Sequence, residues 1–172
     1  NKEVNEIFRT FQKTDIEELV DEIHELISEW GLTKTDKPAY LRFRREYNQH
    51  PTPIKLYTLS CFSYNYQFRF NSKHEYNNPF GMNRSHFSER MEMNLRQFVS
   101  RLQSIDAVFS DDFFEEFPIE TISENDFVYL DPPYLITTGS YNDGSRGFHD
   151  WGVEQERKLY LLLQELDNRG VR

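Results

Sequence analysis

Apolar residues near the start recur every three to four positions, at Val4, Ile7, Phe8 and Phe11. That spacing predicts a short amphipathic helix. A second helix begins at Asp15 and carries Ile16, Leu19, Val20, Ile23, Leu26 and Ile27 on one face. It ends near Trp30, where Gly31 suits a left-handed closing residue. Residues 36–50 read as a basic-polar helix with Tyr40, Phe43 and Tyr47 in a stripe, and Pro51 and Pro53 break it. Ile54 to Phe62 is apolar on nearly every side and predicts a buried helix, and helical spacing returns from Phe87 to Leu102.

Between these helices the period changes. Gln67-Phe68-Arg69-Phe70-Asn71 alternates, Ser72-Lys73-His74 supplies turn residues, and Glu75-Tyr76-Asn77 resumes extended chain before Pro79-Phe80-Gly81. This predicts a β-hairpin. Ala107-Val108-Phe109 predicts a short strand. Phe127-Val128-Tyr129-Leu130 is an unbroken apolar run, the pattern of a central parallel strand buried on both faces. A Gly-, Ser- and Asp-rich loop follows to about Gly147, then a helix from Glu154 to Leu166 with Leu159, Leu162, Leu163 and Leu166 inward. Strand, loop and covering helix form an α/β unit, so the fold class expected is α/β.

Composition adjusts this picture. Aromatic residues are 16% of the 172, although apolar residues are only 37%. Disordered chains are poor in aromatics, so the rings belong either to a core or to a stacking surface. A net charge of −9 argues against nucleic acid, but the charge is uneven. Residues 1–30 hold nine acidic side chains against three basic ones, whereas residues 62–103 hold six basic against three acidic. A basic island of that kind is compatible with phosphate contacts. Cys61 stands alone, which excludes a disulfide framework and a cysteine zinc site; His149 has no partner at metal-ligand spacing, and no metal is expected. No window is long and apolar enough to span a membrane, no signal peptide opens the chain, and a cytoplasmic location is expected.

The chemistry concentrates at Asp131-Pro132-Pro133-Tyr134, at the carboxyl end of the expected strand. Ligands of open α/β sheets gather there. Asp131 offers an acceptor-only carboxylate, the two prolines stiffen a loop that displays carbonyls, and Tyr134 adds a flat ring. Two acceptors beside a stacking surface suit an amino-bearing planar base. The plainer alternative is a turn in which the Asp caps and the prolines end the strand.

The string Asp126 to Thr137, with Asp-Pro-Pro-Tyr at its centre, resembles the DNA adenine methylase family, N6-adenine-specific and of the D12 class, and looks closest to its bacteriophage members. The resemblance implies S-adenosylmethionine as cofactor, double-stranded DNA as partner, and a target adenine flipped out of the duplex. It implies a catalytic set of Asp131, Pro132, Pro133 and Tyr134, with Asp131 also facing the cofactor. Asp131 and the Pro132 carbonyl would accept the two N–H bonds of the adenine amine, and Tyr134 would stack on the base. It further implies a partial Rossmann-like methyltransferase sheet with a helical and β-hairpin target-recognition insertion. Residues 1–32 and 105–172 would be catalytic and 33–104 would recognise DNA. The Gly-rich motif that wraps the cofactor does not occur in the sequence, and both ends look cut from something longer, so this piece alone is expected to bind cofactor weakly or to be inactive.

Arg69-Phe70-Asn71 and Pro79-Phe80-Gly81 resemble the recognition hairpin of the same family. A two-stranded ribbon fits the major groove, where Arg bonds both acceptors of guanine. The resemblance makes Arg69 the first candidate for base contact, with Asn65, Gln67 and Asn71 nearby, Lys73 and Arg84 for phosphate or base, and Pro79 in the closing turn. The expected activity is N6-adenine methylation at a short GATC-like site. Alternatives are methylation of the cytosine amine and a non-catalytic DNA-binding piece. Pro79-Phe80-Gly81 has an equally good reading as a purely structural turn.

Overall fold

The computed structural model describes residues 1–132 and 151–172. They fall into two compact units, Asn1–Asp111 and Asp112–Arg172. The expected catalytic segment Pro133 to Tyr134, and the loop after it, lie outside the described residues.

The first unit contains five helices: α1 (Lys2–Lys13), α2 (Ile16–Trp30), α3 (Lys37–Gln49), α4 (Pro53–Cys61) and α5 (Glu89–Gln103). Their ends follow local chemistry. The Asp15 carboxylate accepts the Glu17 and Glu18 N–H groups, while Asp36, Thr52 and Ser88 cap α3, α4 and α5 in the same way. Gly31 closes α2 at φ 61°, as expected. Pro53, read as a breaker, opens α4, because the first turn of a helix has no partner for the N–H that proline lacks.

α4 is the hub, packed against α1, α2 and α3, while α5 packs against α1 and α2. Ile54, Leu56, Leu59 and Cys61 are all buried on α4, which explains its apolar sequence on every side. Around it lie Ile7 and Phe11, Leu19, Val20 and Ile23, Tyr40 and Phe43, and Leu95 and Val99. Each such side chain contributes about 1.5–3 kcal/mol on burial. The shared core joins α1 and α2 to α3–α5, across position 32.

The hairpin is present but is not a regular strand pair. It consists of two isolated antiparallel bridges, Phe70 with Tyr76 and Ser63 with Phe80. α3 completes it where a third strand would lie. The Asn48 carboxamide accepts the Tyr76 N–H at 2.8 Å and donates to the Tyr76 carbonyl at 3.1 Å. Arg44 and the Tyr40 hydroxyl donate to the Asn78 carbonyl.

Three sequence expectations need correction. No sheet occurs among the described residues, so the Rossmann-like sheet is not seen in them. Ala107–Phe109 is not a strand, and Val108 is 87% exposed. Side chains of α1 satisfy its carbonyls, Gln12 at Ala107 and Arg9 at Phe109, leaving no ladder to build. Phe127–Leu130 has no assigned secondary structure and is not buried on both faces. Phe127 and Tyr129 are 75% and 78% exposed. Its described backbone pairing is one bond, from the Val128 N–H to the Arg172 carbonyl at 2.7 Å, and an apolar run buries both faces only when neighbours cover both.

In the second unit, α6 (Val153–Asn168) buries Leu159 and Leu166, half-buries Leu162 and leaves Leu163 exposed, against the expectation of four inward leucines. Short 3-10 turns at Phe114–Glu116 and Ile119–Thr121 pack with it. Lys158 pairs with Glu115, Arg169 donates to the Ile119 carbonyl, and the Phe114 and Trp151 rings meet at 5.7 Å.

Candidate nucleic-acid interface and catalytic loop

The hairpin has two parts. At its tip, the Asn71 N–H donates to the Glu75 carbonyl and the Asn77 N–H to the Arg69 carbonyl, both at 2.9 Å. Asn71 closes the turn with its side chain: Oδ1 accepts the Lys73 and Glu75 N–H groups, and Nδ2 donates to the Glu75 carboxylate at 2.8 Å. Its carboxamide is therefore committed to the turn. Lys73 is left exposed at the tip.

At its base, the Tyr64 N–H donates to the Pro79 carbonyl at 2.7 Å and the Gly81 N–H to the Phe62 carbonyl at 2.9 Å. Pro79-Phe80-Gly81 is thus the returning edge of the ribbon, with the Phe80 ring on Tyr40 at 5.2 Å. A Cβ on Gly81 would lie 2.1 Å from Ser85 Oγ and 2.8 Å from the Ser63 carbonyl, so only glycine fits.

Between the two parts lies an exposed arch, residues 64–67, built on a short irregular 3-10 turn at Tyr64–Tyr66. Asn65 and Tyr66 both take left-handed backbone, at φ 54° and 56°. A bulky residue rarely does so. Tyr64 and Tyr66 are each 46% exposed, and Asn65 and Gln67 are exposed beside them. Buried side chains clamp the arch from beneath. The Tyr76 hydroxyl donates to the Gln67 carbonyl at 2.9 Å, and Asn78 Nδ2 reaches Ser63 Oγ, the Tyr64 carbonyl and the Gln67 carbonyl at 2.9, 3.0 and 2.8 Å. Burial pushes the Tyr76 phenol up to about 12, so it remains a donor at neutral pH.

Of the DNA candidates, Asn65, Gln67, Arg69, Asn71 and Lys73 gather on one ribbon, with Pro79 and Arg84 at its base. Arg69 is half-buried, Lys73 and Arg84 are exposed, and none of the three has an acidic partner among the described residues. By contrast, Arg9 and Arg96 are tied to carboxylates on their own or neighbouring elements. Sequence reading missed the supporting set, Tyr40, Arg44, Asn48, Tyr76 and Asn78. Polar residues spaced 40, 44, 48 on α3 were the available signal, since they form a stripe at helical period.

The catalytic segment is described as far as Pro132. Asp126 closes the preceding turn, its carboxylate accepting the Ser123 N–H and hydroxyl at 2.8 and 2.9 Å. Those bonds, the backbone one first, hold it below its ordinary carboxylate value. Asp131 is exposed at the end of the apolar run and Pro132 is half-buried. A methyl-donating cofactor needs groups for its methionine and ribose. Asp131, the residue expected to face such a cofactor, stands at the edge of the described residues.

The hairpin thus carries basic and aromatic side chains without acidic partners among the described residues, in a chain whose sequence bears Asp-Pro-Pro-Tyr at residues 131–134. The whole chain, residues 1–172, matches the D12 class N6 adenine-specific DNA methyltransferase family, and it belongs to that family. The modification methylase StsI of Streptococcus sanguinis is 56% identical over 172 residues, which are 100% of this chain and 26% of that protein. The Type II methyltransferase M.FokI of Planomicrobium okeanokoites is 47% identical over 99% of this chain and 26% of its own length. The DNA adenine methylase of Haemophilus influenzae is 34% identical over 74% of this chain and 44% of its length. The chain therefore spans about a quarter of the length of the two modification methylases.

Proposed function

We propose that a protein carrying this chain transfers a methyl group from S-adenosylmethionine to the N6 amine of an adenine flipped out of duplex DNA. The cofactor supplies an electrophilic methyl group. The observation that carries the reading is the exposed carboxylate of Asp131, followed by the half-buried Pro132, at the end of an apolar run in a chain of this family. The exocyclic amine is a weak nucleophile because its lone pair is shared with the ring. Asp131 and the Pro132 carbonyl accept its two N–H bonds, and the carboxylate stabilises positive charge growing on nitrogen. Tyr134 stacks on the base that has lost its neighbours.

Residues 33–104 recognise DNA, and residues 1–32 with 105–172 belong to the catalytic part, whose sheet is completed in the whole enzyme. The recognised site is short and GATC-like, with a guanine for Arg69 to read. The core shared by α1, α2 and α4 fastens the recognition part to its support.

The test is methyl transfer from labelled S-adenosylmethionine to GATC-containing and scrambled duplexes, with an enzyme of the relatives' length and its Asp131→Ala variant. Label in adenine that falls at least a hundredfold in the variant, with DNA binding retained, is the expected result. Label in cytosine would transfer the reading to the cytosine amine. Binding without label from either protein would leave a DNA-binding module.

A further inference from the structure

The hairpin carries a buried polar side chain whose contacts all point one way. Asn78 has no exposed surface, and its Nδ2 faces three acceptors: Ser63 Oγ, the Tyr64 carbonyl and the Gln67 carbonyl. Its Oδ1 is buried with no partner. The Ser63 hydroxyl already donates to the Ser60 carbonyl at 2.9 Å, so it must accept from Asn78, which fixes the orientation of the amide. What this position supplies is the N–H pair.

Those N–H groups meet both ends of the arch. Tyr64 and Gln67 bound the four residues, and between them Asn65 and Tyr66 hold left-handed backbone that ordinary side chains disfavour. Such conformations persist where surrounding structure over-determines them, and they concentrate at working sites. The Tyr76 hydroxyl adds a second bond to the Gln67 carbonyl. Tyr40 and Arg44 in turn hold the Asn78 carbonyl against α3. The result is a fixed support beneath four exposed side chains that make no hydrogen bond among the described residues.

We infer that Asn78, assisted by Tyr76, is a positioning residue that sets the shape of the 64–67 arch and through it the discrimination between DNA sites. The inference rests on the reading of the hairpin as the DNA-facing element. Neither residue touches DNA; both act through the backbone of the residues that do.

The test uses an enzyme of the relatives' length carrying Asn78→Ala, Tyr76→Phe or Arg69→Ala. For each, kcat/KM is measured on the enzyme's own site and on duplexes with one base pair changed. Affinity for an unrelated duplex and the thermal midpoint are measured alongside. Tyr76→Phe removes a single hydroxyl without altering shape, so it decides the matter if Asn78→Ala does not fold. We expect Tyr76→Phe to lower the ratio of own-site to altered-site kcat/KM by about fivefold, and Asn78→Ala by tenfold or more, with affinity for unrelated duplex within about twofold. A lowered thermal midpoint with an unchanged ratio in both variants, while Arg69→Ala does lower the ratio, would overturn the inference and leave Asn78 a stabilising residue. If Arg69→Ala and the two positioning variants all leave turnover, ratio and affinity unchanged, the hairpin does not face DNA and the underlying reading fails instead.

Discussion

At the scale of single residues, Gly81 is the sharpest case of a position dictated by its surroundings. A methyl group there would meet Ser85 Oγ at 2.1 Å, Ser85 Cβ at 2.5 Å and the Ser63 carbonyl at 2.8 Å. Ser85 is 2% exposed, and the Ser63 carbonyl is backbone. Gly81→Ala is therefore expected to cost about 1–3 kcal/mol, read as a lower midpoint in urea at unchanged slope. An unchanged midpoint would mean that the loop gives way. The sequence had left Pro79-Phe80-Gly81 open between a DNA contact and a structural turn, and packing decides in favour of a structural role for the glycine. Arg69 and Lys73 were legible as candidates because charged residues on a predicted ribbon have few internal uses. Asn71 looked the same in sequence, yet its carboxamide is spent on the turn, because short amides serve equally well for reading a base or for capping backbone. Asn78 was not legible, since its partners are backbone atoms that no residue pattern announces.

At the scale of elements, the helices were readable because caps and periodicity agree, as at Asp15 and Gly31 for α2. The expected strands were not, because a strand is defined by its neighbour. Ala107–Phe109 found side chains of α1 in place of a strand, and Phe127–Leu130 found one backbone bond. How α2 and α5 are joined was also hidden, since pairing of charges across helices depends on the fold. Glu92 on α5 accepts from His24 of α2 at 2.8 Å and from Arg96 at 2.9 Å, and Arg96 reaches Glu17 at 2.7 Å. The bond from His24 first, then that from Arg96, holds the Glu92 carboxyl below its ordinary value. A carboxyl lowered in the folded state adds stability above the unfolded value, about 4.3 for Glu, and loses it as pH falls through the folded one. Glu92→Gln is thus expected to lower stability slightly at pH 7 and to flatten its decline below about pH 4.3, as followed by thermal midpoints across pH. Parallel curves for the two proteins would show that the contact contributes nothing.

At the scale of the whole molecule, the proposed function asks a chain of net charge −9 to bind a polyanion, which it can do only through local charge. One acid of α2, Glu17, is engaged with Arg96 of α5, and the α5 acid Glu92 with His24 of α2, whereas Arg69, Lys73 and Arg84 on or beside the hairpin have no acidic partner among the described residues. If these three cations make the phosphate contacts, few counterions are displaced. DNA affinity should therefore fall with salt along a shallow slope, each phosphate contact contributing about 0.9 to its magnitude. In an enzyme of the relatives' length, Lys73→Ala at the tip is expected to reduce the slope by about one and to weaken all duplexes alike. Arg69→Ala should instead narrow the gap between the enzyme's own site and altered sites more than it weakens unrelated duplex, as the proposed reading of a guanine by Arg69 requires. Titrations of own-site, altered and unrelated duplexes at several salt concentrations separate the two behaviours. Equal loss on all three duplexes from Arg69→Ala, with a slope reduced by about one, would reassign Arg69 to phosphate and return base reading to the exposed side chains of the arch.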